Sequence, residues 1–262
     1  MKTYCLASSS SGNCFILEFE IQGQPIRIMI ECGLPIGEIY KKCNENQILL
    51  SSINACLITH AHSDHCKSAK IVTELGIPIF ASKSTLQLIN CKGNELILEK
   101  PNRVLNGLYV MPFAVEHDIE GAVGFIIKTE KECVFFANDH KRWTANLKAF
   151  KPNFVFIECN YEQRMVYTQL SELKNLKKKG IQNPYEEEKV DIKIKQHERN
   201  INSHCSLRGT EVGLSKLDLS KCQAIFLMHL SDRYANEYKM KNDIESKFYI
   251  KTYVCKKLGG IK

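Results

Sequence analysis

Apolar residues fall in short runs with the rhythm of strands, interrupted by a few longer amphipathic stretches. Asn13 to Glu20 and Ile26 to Glu31 are β-rich runs parted by Gly23, Gln24 and Pro25, a pattern that predicts a hairpin. Ala55 to Thr59 is a short apolar run that ends at a histidine. A helix is expected from about Asp64 to Leu75, closed by Gly76, and a strand at Ile77 to Ala81. Further strands are expected at Tyr109 to Ala114, Val123 to Lys128, Cys133 to Ala137 and Phe154 to Glu158. Val166, Leu170 and Leu173 share one face of a helix predicted over Glu162 to Lys179. From Gly180 to Ser203 the chain is polar, charged and weakly periodic, which reads as a loop or insertion. Regular structure resumes with a helix over Ser206 to Leu217, a strand at Ala224 to Met228, a helix near Glu237 to Lys247 and a strand at Tyr249 to Cys255. Strands in two batches, each ending in helices, suit two packed sheets flanked by helices.

Composition narrows this picture little. No apolar stretch approaches the roughly 20 residues that span a bilayer, and the polar start MKTYCLASSSSGNC lacks the apolar segment of a secretory signal. No membrane association and a cytoplasmic location are therefore expected. The twelve cysteines contain no CxxC pair, so they are read as reduced and mostly core-packed. A formal net charge of +7 suits a polyanionic substrate without proving one.

The chemistry is concentrated in ITHAHSDHC, Ile58 to Cys66. It places three of the chain's eight histidines and one aspartate within six positions at a strand–helix junction. Imidazoles and carboxylates are the ligands that borderline and harder divalent ions select. His60 and His62, two apart in a tight loop, could converge on one ion and leave Asp64 and His65 for a second.

HAHSDH resembles the HxHxDH signature of the metallo-β-lactamase superfamily. The resemblance implies an α/β (α+β) αββα sandwich of two mixed sheets, with two divalent metals at one edge. It also implies three more ligands in fixed order, and the chain offers His117 in VEHD, Asp139 in VFFANDH and His229 in IFLMHLS, each beyond an apolar run. By that resemblance His60, His62 and His117 hold one metal, Asp64, His65 and His229 hold the other, and Asp139 bridges them.

Other segments resemble the YycJ/WalJ-type branch, which includes 5′-to-3′ DNA exonucleases. LASSSSGNC is similar to its "GS-x-x-GN" start, IECNY to "E-x-NYD", NSHCS to "GHLSN", and LMHLSDRYAN to "HLS-x-x-NN". The resemblance runs over nearly the whole chain, which is read as a single domain over 1–262 with a poorly matching segment at about 180–203. Departures are Glu31 for the aspartate of a "D-x-G" strand end, Glu162 for aspartate, Ser203 and Cys205 around His204, and His140 after Asp139.

The resemblance implies a metal-dependent phosphodiesterase, a 5′-to-3′ DNA exonuclease using a metal-bound hydroxide, with Zn²⁺ or Mn²⁺ and also Fe²⁺ compatible with the ligands. Asp64 and His204 are the candidate catalytic residues, His204 protonating the leaving oxygen or holding the phosphate. Ser10, Asn13, Asn160 and His204 are candidate substrate contacts, and DNA is the expected partner. Alternatives are a small-molecule hydrolase of thioesters, lactones or cyclic phosphodiesters on the same fold, and a non-catalytic binding module. Oligomeric state has no signal in the sequence.

Overall fold

The computed structural model describes residues 1–261. Its strands are β1 (Lys2–Ser9), β2 (Gly12–Ile21), β3 (Gln24–Ile30), β4 (Ile53–Leu57), β5 (Ile79–Ala81), β6 (Asn94–Glu95), β7 (Asn102–Leu105), β8 (Leu108–Glu116), β9 (Val123–Lys128), β10 (Cys133–Ala137), β11 (Arg142–Trp143), β12 (Phe154–Glu158), β13 (Ala224–Met228) and β14 (Thr252–Val254). Its helices are α1 (Ile36–Glu45), α2 (Ser63–Cys66), α3 (Ala69–Glu74), α4 (Lys83–Leu88), α5 (Gln163–Lys178), α6 (Pro184–Ser203), α7 (Leu207–Ser215) and α8 (Glu237–Phe248).

The strands form two mixed sheets. The first runs β1-β2-β3-β4-β5-β6, and the second runs β11-β8-β9-β10-β12-β13-β14 with β7 beside β8. Alternation along each strand explains how they stack. Phe15, Leu17 and Phe19 of β2 face Val134 and Phe136 of β10 in a shared core between the sheets. Phe15 and Phe136 meet edge-on at 5.5 Å, and Phe156 and Phe226 stack at 4.4 Å. The intervening residues point outward: Cys14 and Ile16 pack with Ile39, Cys43 and Val72 from α1 and α3. Phe135, Ile157 and Leu227 pack with Leu214 of α7 and with Met240 and Ile244 of α8. Strands buried on both faces read as continuous apolar runs, which is why the sequence shows little clean alternation. The four layers are helices, sheet, sheet, helices.

Direction places the functional edge. β3 and β4 run parallel, as do β10, β12 and β13, and β8 is antiparallel to β9, which is antiparallel to β10. The ends of β3, β4, β8, β10, β12 and β13 therefore open onto one crevice, the usual place for ligands in such sheets.

Three expectations need correction. The segment 184–203 is a helix of 20 residues rather than a loop. Asn183 caps it by accepting from the Tyr185 amide, Pro184 starts it, and Glu186 and Glu187 sit in its first turn, all favourable at that end. Its buried face carries Val190, His197 and Ser203 instead of an apolar row, so hydrophobic periodicity was absent. The helix expected over 64–75 is two helices, because the Ser68 amide leaves the helical ladder to donate to Cys32 at 3.0 Å. The final strand is shorter than expected: Tyr249 turns into the left-handed region, ends α8, and delays the strand to Thr252. Strand β1 and helix α1 were not anticipated. Among the described residues, no helix is long and apolar enough to cross a membrane.

Candidate metal centre

The HAHSDH segment leaves β4 and folds back against the end of β3. The Cys32 amide donates to the His65 carbonyl at 2.8 Å, and the Gly33 amide donates to Asn13 at 3.0 Å. A β-carbon at Gly33 would lie 1.6 Å from the Asp64 carbonyl oxygen, so only glycine permits this approach. Glu31, Asp139 and His229 follow β3, β10 and β13 with φ of 63°, 39° and 55°. Non-glycine residues in the left-handed region are uncommon, and three at one crevice mark a site that accepts strain.

His60, His62 and His117 converge, with ligand atoms all within 4.8 Å of one another. His60 Nε2 lies 3.1 Å and His117 Nε2 lies 3.2 Å from His62 Nδ1. The far nitrogens have partners in the protein. His117 Nδ1–H donates to the Ser203 carbonyl at 2.8 Å. Thr59 Oγ1 donates to Glu31 at 2.5 Å and so accepts from His60 Nδ1–H at 2.9 Å. His60 thus presents an unprotonated Nε2 to His62, and His117 Nε2 faces the same atom, a convergence of ring nitrogens that suits a cation. Burial first, then the neighbouring His65, pushes His60 well below the usual histidine range, as a neutral ligand requires.

Asp139 lies beside this trio. Its carboxylate is 3.3 Å from His65 Nε2 and 3.3 Å from His229 Nδ1, and Asp64 Oδ2 is 3.5 Å from His65 Nε2. Burial works to raise the Asp139 pKa, but His229 and His65 outweigh it and hold the carboxyl well below its usual range. Asp139 Oδ1 and His229 Nε2 are buried with no hydrogen-bond partner. Orphaned acceptors and an all-nitrogen-and-oxygen donor set fit one or two divalent ions. Glu31, fully buried, lies 3.4 Å from His65 Nδ1, so a glutamate orients both Thr59 and His65 from this strand end.

The sequence reading missed Glu158. It is fully buried, and its Oε2 accepts from the amides of His140 at 2.7 Å and Cys205 at 3.1 Å. Its Oε1 meets His204 Nδ1 at 2.6 Å and His229 Nδ1 at 3.1 Å. Burial opposes charge on both partners, yet their attraction wins: Glu158 is drawn down to about 2 and His204 is pushed up to about 9. The clues available were an acidic residue closing an otherwise apolar strand and its place as the glutamate of the segment similar to "E-x-NYD", to which no role was given.

The remaining candidates divide. His204 lines the cavity with its ring 5.5 Å from His117 and 5.2 Å from His229. Ser10 and Asn160 also line it, with Asn160 Nδ2 donating to the His229 carbonyl at 2.7 Å. Asn13 is fully buried behind the site, where its Nδ2 donates to Ser9 at 3.0 Å and lies 3.2 Å from His65 Nε2. His140 is sealed beside Trp143, and burial lowers its pKa to about 4.

No family model matches the chain. Exodeoxyribonuclease WalJ of Streptococcus pneumoniae is 32% identical over 83 residues, which span 31% of this chain and 29% of that relative. The metallo-β-lactamase fold protein YhfI of Bacillus subtilis superposes with a TM-score of 0.68 at 10% identity, covering 99% of this chain and 98% of that one. Zn²⁺-bound PqqB of Methylobacterium extorquens superposes with a TM-score of 0.65 at 15% identity, covering 100% and 99%. The two-sheet sandwich, its crevice of histidines and aspartates, and these whole-chain superpositions together establish that the chain has the metallo-β-lactamase fold.

Proposed function

We propose that the chain is a metal-dependent phosphodiesterase that degrades DNA from its ends, in the 5′-to-3′ direction. The observation that carries this reading is the placement of His204. Its Nδ1 is bound to the buried Glu158, and its ring stands between His117 and His229, which leaves Nε2 as the proton-bearing atom available to the cavity. A group so held suits protonation of the oxygen that departs from phosphorus. The likeness to an exodeoxyribonuclease supports DNA as substrate.

His60, His62 and His117 would hold one divalent ion and Asp64, His65 and His229 a second, with Asp139 between them. Zn²⁺, Mn²⁺ or Fe²⁺ in these places supplies a water of lowered pKa and offsets charge on the phosphate. The chain's own residues do the rest. Glu158 fixes the His204 ring and keeps it charged, Asp64 orients the attacking water, and Ser10 and Asn160 line the approach to the phosphate.

Digestion of end-labelled single-stranded and duplex DNA with Mn²⁺ or Zn²⁺ tests the reading. Stepwise loss of 5′ nucleotides, stopped by chelator and weakened steeply by salt, is the expected result. Intact DNA with every metal, alongside turnover of a thioester or lactone, would replace it with the small-molecule alternative.

A further inference from the structure

The candidate metal ligands are only part of the lining of the cavity. Its volume is about 620 Å³, within the roughly 300–1,000 Å³ of pockets that enclose a whole organic ligand. Another part of the wall comes from α6 and the segment after β13, with His197, Arg199, Arg233 and Tyr234 among its lining residues. None of these belongs to either ligand set. Resting on the function proposed above, we infer that this wall is a nucleotide subsite. It takes the phosphate and base of the residue adjoining the scissile phosphodiester in a single strand.

Three chemistries of a nucleotide are matched. Arg199 Nε donates to Asp118 Oδ2 at 2.7 Å, and its two terminal amino groups have no partner among the described residues. The other Asp118 oxygen lies 3.2 Å from His117 Nε2 and 3.6 Å from His62 Nε2, so the guanidinium stands one carboxylate away from the first ligand trio. Arg233 is exposed on the same cavity, and its side chain makes no hydrogen bond or ion pair among the described residues. The terminal amino groups of Arg199 and the guanidinium of Arg233 together suit a phosphate.

His197 supplies the second chemistry. It is only 4% exposed, and its Nδ1–H donates to the Lys193 carbonyl at 2.7 Å. A carbonyl can only accept, so Nδ1 carries a proton, and Nε2 is buried without a partner. The residue also lines the cavity, where its ring gives a bound nucleotide a surface to pack against. Tyr234 supplies the third, an aromatic ring on the cavity wall 5.1 Å from the His197 ring. Aromatic platforms bind unstacked bases, which selects a single strand over a duplex.

The test is a thermodynamic cycle between protein and ligand. The full chain is kept in chelator so that binding is read without turnover, and the probe is a fluorescently labelled thymidine trinucleotide. Two analogues each carry one neutral methylphosphonate linkage. For the wild type, one analogue is expected to bind about tenfold more weakly, the size of a charge-assisted contact. Arg199→Gln/Arg233→Gln is expected to lose about tenfold on the charged ligand and nothing further on that analogue. Both arginines are exposed, and circular dichroism confirms folding of the variant. Wild-type affinity in the double variant, or losses that multiply independently for both analogues, would overturn the subsite. A wild type that leaves DNA intact with every metal yet shows the coupling would remove the nuclease reading while keeping the subsite.

Discussion

Glu158 ties three distant pieces of chain to one carboxylate: the end of β10 through the His140 amide, the α6–α7 junction through His204 and Cys205, and the end of β13 through His229. With four donors around it, it is placed to position His204 in the function proposed, although it also stands among the groups with Asp139, His204 and His229 that could hold an ion. Glu158→Gln keeps the shape and removes the charge that holds the imidazolium. Its kcat on DNA is expected to fall by about 10²–10⁴-fold, the usual contribution of a general acid, while bound metal per chain stays at the wild-type level. A kcat within a few-fold of wild type would sink the assignment of His204 as the acid. Residues of this kind are hard to read from sequence because their partners lie 46 and 71 positions away. The HAHSDH candidates, by contrast, stand out in the sequence because they are packed into six positions. His117, Asp139 and His229 stand out as candidates because each follows an apolar strand in the order that the resemblance requires, and the structure brings them to the same crevice.

At the scale of elements, most strands buried on both faces were legible, whereas β1, with its serine-rich end, and α6 were not. A helix whose buried face is lined by histidine and serine has no apolar period to display, so only its Asn183–Pro184 start betrayed it. A polar device of the opposite kind holds the first sheet together. Glu18 of β2 stands directly across from Lys2 of β1 and from Arg27 of β3. It pairs with them at 2.9 Å and 2.7 Å. Its pKa is lowered, chiefly by the hydrogen bond from Lys2 and further by Arg27. A carboxylate depressed in the folded state stabilises the protein above its unfolded pKa, and that stability is lost as pH falls through the folded value. Glu18→Gln should therefore destabilise by about 0.2–1 kcal/mol per cross-strand pair at neutral pH. The gap between variant and wild type should close in acid, below the ordinary carboxylate range. Urea titrations at neutral and acid pH measure it, and a gap that persists unchanged in acid would contradict the ion-pair origin.

Over the whole molecule, the centre is shared between the two sheets. His60, His62, Asp64 and His65 follow β4 of the first sheet, whereas His117, Asp139 and His229 follow β8, β10 and β13 of the second. Protein contacts already bridge the same seam: the His229 amide donates to Ser8 Oγ at 2.8 Å, and the Val123 amide donates to the Thr59 carbonyl at 3.1 Å. An ion held from both sides cannot remain bound once the sheets separate, so its binding energy adds to the stability of the folded chain. At a free metal concentration one hundred times Kd the gain is about 2.7 kcal/mol. For a chain of this size that corresponds to a rise in Tm of roughly 5–10 °C. Thermal scans with Zn²⁺ or Mn²⁺ and with chelator should show this difference in the wild type and lose it in His60→Ala/His62→Ala. If the double variant keeps the full metal-dependent rise, the stabilising ion sits elsewhere, and the seam is held by the core between the sheets alone.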